Sequence, residues 1–333
     1  MHRALARRLP FLNWPRPSGA LLRGEALAGL TVGLMVIPQG VAYAALAGMP
    51  VVTGIYASML PALVAALFSA SPRLSVGPTA LSSLLVAASL TGLATPGSAE
   101  WVNLAVWLAL LTGALQIALG AVQAGWLLNL VTAPVLMAFT QGAAVLIIFS
   151  QLPALLGLPK DGDWAARLTG AHWASAAFGI GALALLVVAR RLKPSFPGVL
   201  VVVLVAAAVS AFTPYAAQGG AVVGPLPQGL PGLFVPHWPG WATLGQLVMP
   251  TLIITLVSFL ETASSAKVDS AARGARWDQN QDLIGQGLAK LASGLSGAFP
   301  TSSSFSRSAL NLYAGAKTGW ASIFSAVVVG LAL

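Results

Sequence analysis

The feature that most constrains this chain is where its charges are missing. No charged residue occurs in 26–72, 74–99, 101–159, 168–189 or 194–260. A helix crossing the hydrocarbon core of a bilayer needs about 20 predominantly apolar residues, so the longer intervals each hold more than one crossing. The composition agrees, with 57% of residues hydrophobic and 8% charged, against about 25% charged in soluble domains. A chain this poor in charge cannot cover a water-facing surface, and its apolar surplus must face lipid. That excludes a soluble enzyme, a nucleic-acid-binding module and a disordered tail.

Turn signals divide the charge-free intervals. Gly48-Met49-Pro50 separates a first helix at about 27–46 from a second at about 52–68. Further spans are expected near 78–92, 102–120, 128–150, 172–190, 197–212, 243–265, 283–297, 303–315 and 319–333, eleven segments with two of them short. They are continuous Leu- and Ala-rich runs without the alternation a membrane barrel requires. The fold class is therefore an all-α polytopic membrane protein.

The net charge of +9 follows from topology, with no nucleic-acid partner needed. With the N-terminus inside and the segments alternating, the cytoplasmic side receives Arg3, Arg7, Arg8, Arg16, Arg23, Arg73, Arg190, Arg191, Lys193, Lys267, Arg273, Arg276 and Lys317. The outside receives Lys160 and Arg167, which is a strong positive-inside bias. The expected location is the cell inner (plasma) membrane. The stretch 267–282, which mixes acidic and basic residues, reads as a solvated cytoplasmic connection. His172-Trp173 and His237-Trp238 read as interfacial anchors.

Two places break the pattern of plain helices. Ser75-Val76-Gly77-Pro78-Thr79 puts a short extended piece before a helix of only about fifteen residues. Phe299-Pro300-Thr301-Ser302-Ser303-Ser304 repeats that grammar before a second short helix. Proline suits a first helical turn, where its missing N–H costs nothing, and interrupted segments in the two halves of a transporter point to a midplane binding site. Each helix start carries roughly half a positive charge on its free N–H groups. Two facing starts would attract an anion, and Arg307 adds a full charge beside one of them. The alternative is that both clusters are ordinary interhelical loops. Glu261 is the only acidic residue inside an expected span. Intramembrane carboxylates are costly and usually functional, and a carboxyl protonated when substrate binds would couple transport to protons. Lys290 is expected to pair with Glu261 or to snorkel to an interface.

These residues resemble a known family. Leu27-Ala28-Gly29-Leu30-Thr31-Val32-Gly33 with Ile37-Pro38-Gln39-Gly40-Val41-Ala42-Tyr43-Ala44, then Gly54-Ile55-Tyr56-Ala57-Ser58, Ser75-Val76-Gly77-Pro78-Thr79-Ala80 and Phe305-Ser306-Arg307-Ser308-Ala309 are similar to the first, second, third and tenth segments of the SulP anion transporters. That family includes sulfate permeases, pendrin and prestin. The resemblance runs from about Arg23 to Leu333. It implies a transporter fold of two inverted repeats of seven segments, like that of uracil permease, with two half-helices preceded by short extended strands. By that plan 1–24 is a cytoplasmic segment, 25–212 the first repeat, 213–242 an extracytoplasmic connection and 243–333 an incomplete second repeat. The sequence stops within a span at Val327-Val328-Val329-Gly330-Leu331-Ala332-Leu333, which reads as a truncation before three further segments and a cytoplasmic STAS domain.

The resemblance also implies a substrate site formed by Gln39 and Tyr43, four apart and so on one helix face, by the backbone N–H groups of Thr79 and Ala80, and by Phe305, Ser306 and Arg307. Glu261 is the candidate proton-coupling group. The function expected is secondary active transport of sulfate, a dicarboxylate such as fumarate, or bicarbonate, by proton symport with alternating access. Sodium is the other coupling ion left open, and a passive channel, an exchanger or a membrane motor is the alternative. A homodimer is possible. No catalytic dyad lies within the spans, His2, His172 and His237 lack metal-ligand spacing, and there is no cysteine. An enzyme, a metal site and a cofactor are therefore not expected.

Overall fold

The computed structural model describes residues 9–130, 133–159, 169–192, 198–220, 222, 229–274 and 276–333. Arg3, Arg7, Arg8, Lys160, Arg167 and Lys193 lie outside the described residues, as do positions within the 1–24 segment, the 128–150 and 197–212 spans and the 213–242 connection. Among the described residues the chain forms eleven α-helices: α1 Gly19–Leu46, α2 Val52–Phe68, α3 Ala80–Leu90, α4 Ala99–Ala121, α5 Ala133–Leu155, α6 Trp173–Leu192, α7 Gly198–Phe212, α8 Trp241–Arg273, α9 Gln279–Leu295, α10 Phe305–Tyr313 and α11 Trp320–Gly330. Each expected span has its helix. Gly19–Leu46, Ala99–Ala121 and Trp241–Ala271 are long and apolar enough to cross a membrane, with mean hydropathies of 1.6, 1.9 and 1.8.

Local chemistry sets the starts. The side chains of Ser18, Thr79, Ser98, Asp278 and Ser304 each accept from a backbone N–H three residues on, capping α1, α3, α4, α9 and α10. The helix α8 ends on Gly274, whose φ of 60° is the left-handed conformation glycine takes without strain.

Two expectations about charge need correction. The helix α8 runs on to Arg273, and in 267–282 Lys267, Arg273 and Arg276 are exposed whereas two of the acidic residues are buried. Asp269 is fully buried between Arg73 and Arg273, the latter at 2.7 Å. Asp282 is equally buried and accepts from the Ser71 N–H (3.0 Å), the Ser71 hydroxyl (2.7 Å) and the Trp277 indole N–H (2.5 Å). After Ser265 the alanines with Lys267 and Arg273 still favour helix, so hydropathy ends before the helix does. Likewise α1 starts at Gly19, ahead of the expected 27, which brings Glu25 inside a helix and 99% out of solvent. Glu261 is thus not the only acidic residue within a helix long and apolar enough to cross a membrane.

The chain divides into two compact units, Met1–Leu136 with Leu226–Leu333, and Met137–Pro225. The second holds α6, α7 and most of α5. There His172 Nε2 lies 3.0 Å from the Gln218 carbonyl oxygen, and Ser175 Oγ lies 2.8 Å from the Tyr215 hydroxyl.

The first unit is built inside out relative to a soluble domain. On α8 the residues Thr255, Ser258, Thr262, Ser265 and Asp269 follow helical spacing and are buried, whereas Val248, Met249, Leu252, Ile253 and Leu256 are exposed. Such a helix turns its polar stripe to protein and its apolar face to lipid. Small residues allow the close helix contacts that membrane packing favours. A Cβ on Gly54 of α2 would stand 1.9 Å from the Gly40 carbonyl oxygen of α1, and one on Gly287 of α9 would stand 2.6 Å from the Gly113 carbonyl oxygen of α4. The strands β1 (Val76–Gly77) and β2 (Ser302–Ser303) pair antiparallel, Val76 opposite Ser303 and Gly77 opposite Ser302. Since α3 and α10 follow these strands directly, the pairing brings the two chain breaks together.

Candidate functional site

The site is best built outward from the paired strands. Behind β1, Pro78 and Thr79 turn the chain into α3. The Thr79 hydroxyl accepts from the Ser82 N–H (3.2 Å) and donates to Glu261 Oε2 of α8 (3.3 Å). Behind β2, Ser304 caps α10 through the Arg307 N–H, and its own N–H donates to the Ser75 carbonyl oxygen (3.0 Å). The Ser75 N–H in turn donates to Ser308 Oγ (3.0 Å). Each break is therefore held by the other's backbone.

Arg307 completes the interlock. Its side chain is buried, and its guanidinium donates from Nη1 to the Pro78 carbonyl oxygen (2.8 Å) and from Nε to Ser75 Oγ (3.3 Å). Nη1 also reaches Gln39 Oε1 of α1 at 3.5 Å. Among the described residues Arg307 Nη2, Ser82 Oγ and Ser83 Oγ are buried without a protein hydrogen-bond partner. A charge kept out of water with a free donor is costly, and in a membrane interior such a group is normally functional.

Gln39 meets Arg307, and Tyr43, one turn further along α1, interacts with it electrostatically. Thr79 meets Glu261, whose half-buried carboxylate also lies beside the Ser302 hydroxyl. Ala80 is the buried first residue of α3. Ser306 Oγ lies 3.4 Å from Ser304 Oγ at the start of α10. Phe305 opens the same helix but is half exposed, an apolar flank with no polar contact.

Lys290 does neither of the things expected of it. It is completely buried, so it does not snorkel, and among the described residues no carboxylate lies within 4 Å of it. Its ammonium donates instead to Gln116 Oε1 of α4 (2.9 Å) and Ser258 Oγ of α8 (2.7 Å). The Ser258 hydroxyl donates on to Ser302 Oγ of β2 (3.1 Å), and Gln286 Nε2 donates to Ser303 Oγ (2.9 Å). Sequence reasoning missed this network. Ser258 stands three residues before Glu261 on one helical face, which was a readable signal; Gln116 gave none.

The expected anchors are peripheral. Trp173 and Trp238 are largely exposed. His237 Nε2 lies 3.0 Å from Glu100 Oε2 at an exposed position, and the His237 carbonyl oxygen accepts from the Asn103 amide and the Trp107 indole.

Two helix starts, several hydroxyls and a buried guanidinium are thus grouped around one carboxylate. Donors held this way can replace the hydration shell of an anion without any metal.

The model of the Sulfate permease family matches residues 22–333. The chain is 35% identical over 318 residues to a "Probable sulfate transporter" of Mycobacterium tuberculosis, covering 93% of this chain and 56% of that protein. It is 33% identical over 328 residues to "Sulfate transporter 4.1, chloroplastic" of Arabidopsis thaliana, covering 93% and 47%. The chain spans about half the length of the curated relatives it matches. In fold it resembles murine solute carrier 26 family member A9 in its inward-facing state, with a TM-score of 0.87, 23% identity, and coverage of 99% of this chain and 60% of that one. It also resembles the transmembrane domain of the cyanobacterial bicarbonate transporter BicA, with a TM-score of 0.80, 18% identity, and coverage of 95% and 83%.

Proposed function

The chain belongs to the sulfate permease family, a family of multi-pass membrane transporters and not of enzymes, and from that premise we propose that it carries a small anion by alternating access with a co-transported proton. Sulfate, which the names of its curated relatives specify, is the first candidate. A dicarboxylate such as fumarate, and bicarbonate, are the others. The observation that supports this reading is the interlock of the two breaks, with Arg307 bound to Pro78 and Glu261 bound to Thr79.

The chemistry follows from who competes for the start of α3. An ionised Glu261 accepts from the Thr79 hydroxyl and puts a negative charge where an anion would bind. Protonation removes that charge and lets the Thr79 hydroxyl turn toward the substrate. Anion and proton then load together, because each lowers the cost of the other. Gln39, Tyr43, the N–H groups of Thr79 and Ala80, and Ser306 supply donors, Arg307 supplies charge, and Phe305 supplies an apolar flank. We assign the proton in preference to sodium because the carboxylate and the anion contend for one helix start.

In the same reading 25–212 is a first repeat of seven segments and 243–333 holds segments eight to eleven of a second, inverted one. The 1–24 segment faces the cytoplasm, 213–242 lies outside, the membrane is the plasma membrane, and the protein pairs as a homodimer. Reconstitution in liposomes tests the core claim. Accumulation of sulfate, fumarate or bicarbonate against its gradient, driven by an acidic exterior, is the expected result. Downhill flux alone would identify a passive channel. In Glu261→Gln, uptake should lose its response to the pH difference; an unchanged response removes Glu261 from the coupling.

A further inference from the structure

Lys290 is the most expensive residue in the described structure that the reading above leaves unused. A buried ammonium in a membrane interior costs several kcal/mol unless an opposite charge or full hydrogen bonding offsets it. Here the direct partners are both neutral, Gln116 Oε1 and Ser258 Oγ. A neutral glutamine or serine at this position could bridge α4 and α8 at far lower cost, so packing alone does not account for the charge.

Its placement gives the charge a use. From Lys290 the path runs through Ser258 Oγ to Ser302 Oγ in β2, two residues before the cap of α10. Lys290 and Arg307 both interact electrostatically with Glu261. Among the described residues the charges that act on Glu261 are therefore two buried cations, from α9 and α10. Removing a protonated Lys290 lowers the net charge felt by a bound anion by one unit. A divalent anion loses about twice as much from that change as a monovalent one, since the interaction scales with the product of charges.

We propose that Lys290 is a specificity-determining residue that sets the valence of the transported anion, favouring dianions such as sulfate over monoanions. It does not touch the substrate. It acts through its field and by orienting the Ser258 and Ser302 hydroxyls, so that the Ser302 oxygen faces a donor. The inference rests on the reading that the interlocked breaks hold the anion.

The test measures initial uptake and cross-competition of sulfate and of monovalent bicarbonate and formate by the protein in liposomes. Lys290→Met, which keeps length and removes charge, is expected to weaken sulfate relative to the monoanions by about tenfold or more, the order expected of one unit charge acting across a few side chains at an effective dielectric near 20. Lys290→Arg should restore the wild-type preference at least in part. Equal loss for all anions in Lys290→Met, or no change in the sulfate-to-monoanion ratio, would overturn the proposal. If Lys290→Met fails to fold, Lys290→Gln carries the same comparison, with retained hydrogen bonding and no charge. Arg307→Ala separates the two claims. Full transport of every anion in that variant would sink the site assignment, whereas loss of all transport there with an unaltered ratio in Lys290→Met would sink only the role of Lys290.

Discussion

Glu25 offers the sharpest test of how the helices that carry the site are held. Its carboxylate is buried at the start of α11, where Oε1 accepts from the N–H groups of Lys317 (2.7 Å) and Thr318 (3.1 Å), and Oε2 accepts from that of Ala321 (2.9 Å). The Ala321 N–H is an orphan donor of the helix start, the other two lie just before it, and a negative charge there also complements the helix dipole. In Glu25→Ala all three lose their acceptor inside protein, at a cost of about 3–5 kcal/mol. Glu25→Gln keeps one oxygen for Lys317 and Thr318 but turns an amide NH2 toward the Ala321 N–H, costing about 1–2 kcal/mol. At about 2–4 °C per kcal/mol, the thermal midpoint of the purified protein in detergent should fall by about 6–20 °C for the alanine variant and by about 2–8 °C for glutamine. The fall reaches the site as well. Gly29 lies one turn further along the same face of α1, and a Cβ there would stand 2.5 Å from the Ala321 carbonyl oxygen. Glu25 thus fixes the register of α1 against α11, and α1 carries Gln39 and Tyr43. Scanning fluorimetry on the three proteins gives the ranking. An alanine variant as stable as the parent, or a glutamine variant no better than alanine, would refute this account.

Two substitutions address the interlock itself and a third the packing of α2 on α1. Arg307→Lys keeps the charge but cannot serve Pro78 and Ser75 together as the guanidinium fork does, so anion uptake should drop by an order of magnitude or more while expression is retained. Gly77→Ala adds a Cβ 3.3 Å from Arg307 Nη2, which should raise the apparent KM for the anion with little effect on the thermal midpoint. Gly54→Ala must push α2 off the Gly40 carbonyl oxygen; an overpacking cost of about 1–3 kcal/mol or more should appear as a lower midpoint and lower yield, and a neutral result would argue against this helix contact.

The helices were largely legible because lipid imposes one rule on all of them. The boundaries of α2 at Val52 and Phe68 fall as read, since Pro50 and Pro72 punctuate a charge-free, largely apolar run. Where the read boundaries fail, a helix outlasts its hydropathy. Glu25 and Asp269 look like loop residues because they are charged, yet each is buried against donors that lie far off in sequence, the N–H groups of 317–321 and the guanidinium of Arg73. Local pattern carries no information about such partners.

The same distinction divides the site. The motifs that build the two breaks are local in grammar, a strand, a proline and a capping hydroxyl, so Thr79, Ser304 and the starts of α3 and α10 could be placed from sequence. Their pairing is not local: Val76 and Ser303 meet across most of the chain, and the sequence suggested it only through the repeated grammar of the two breaks and the resemblance to a family. Lys290 marks the limit most clearly. Read as one of a few charges in apolar sequence, it invites a salt bridge with Glu261, the nearest opposite charge within an expected span. The folded chain gives it Gln116 and Ser258 instead, neutral groups that leave its positive charge uncancelled at close range. A direct ion pair would have neutralised Glu261 and Lys290 together, leaving neither a proton site nor a second cation. Held beyond ion-pair distance but within each other's field, the two groups can each act on an anion, Glu261 at the Thr79 hydroxyl and Lys290 through Ser258 and Ser302.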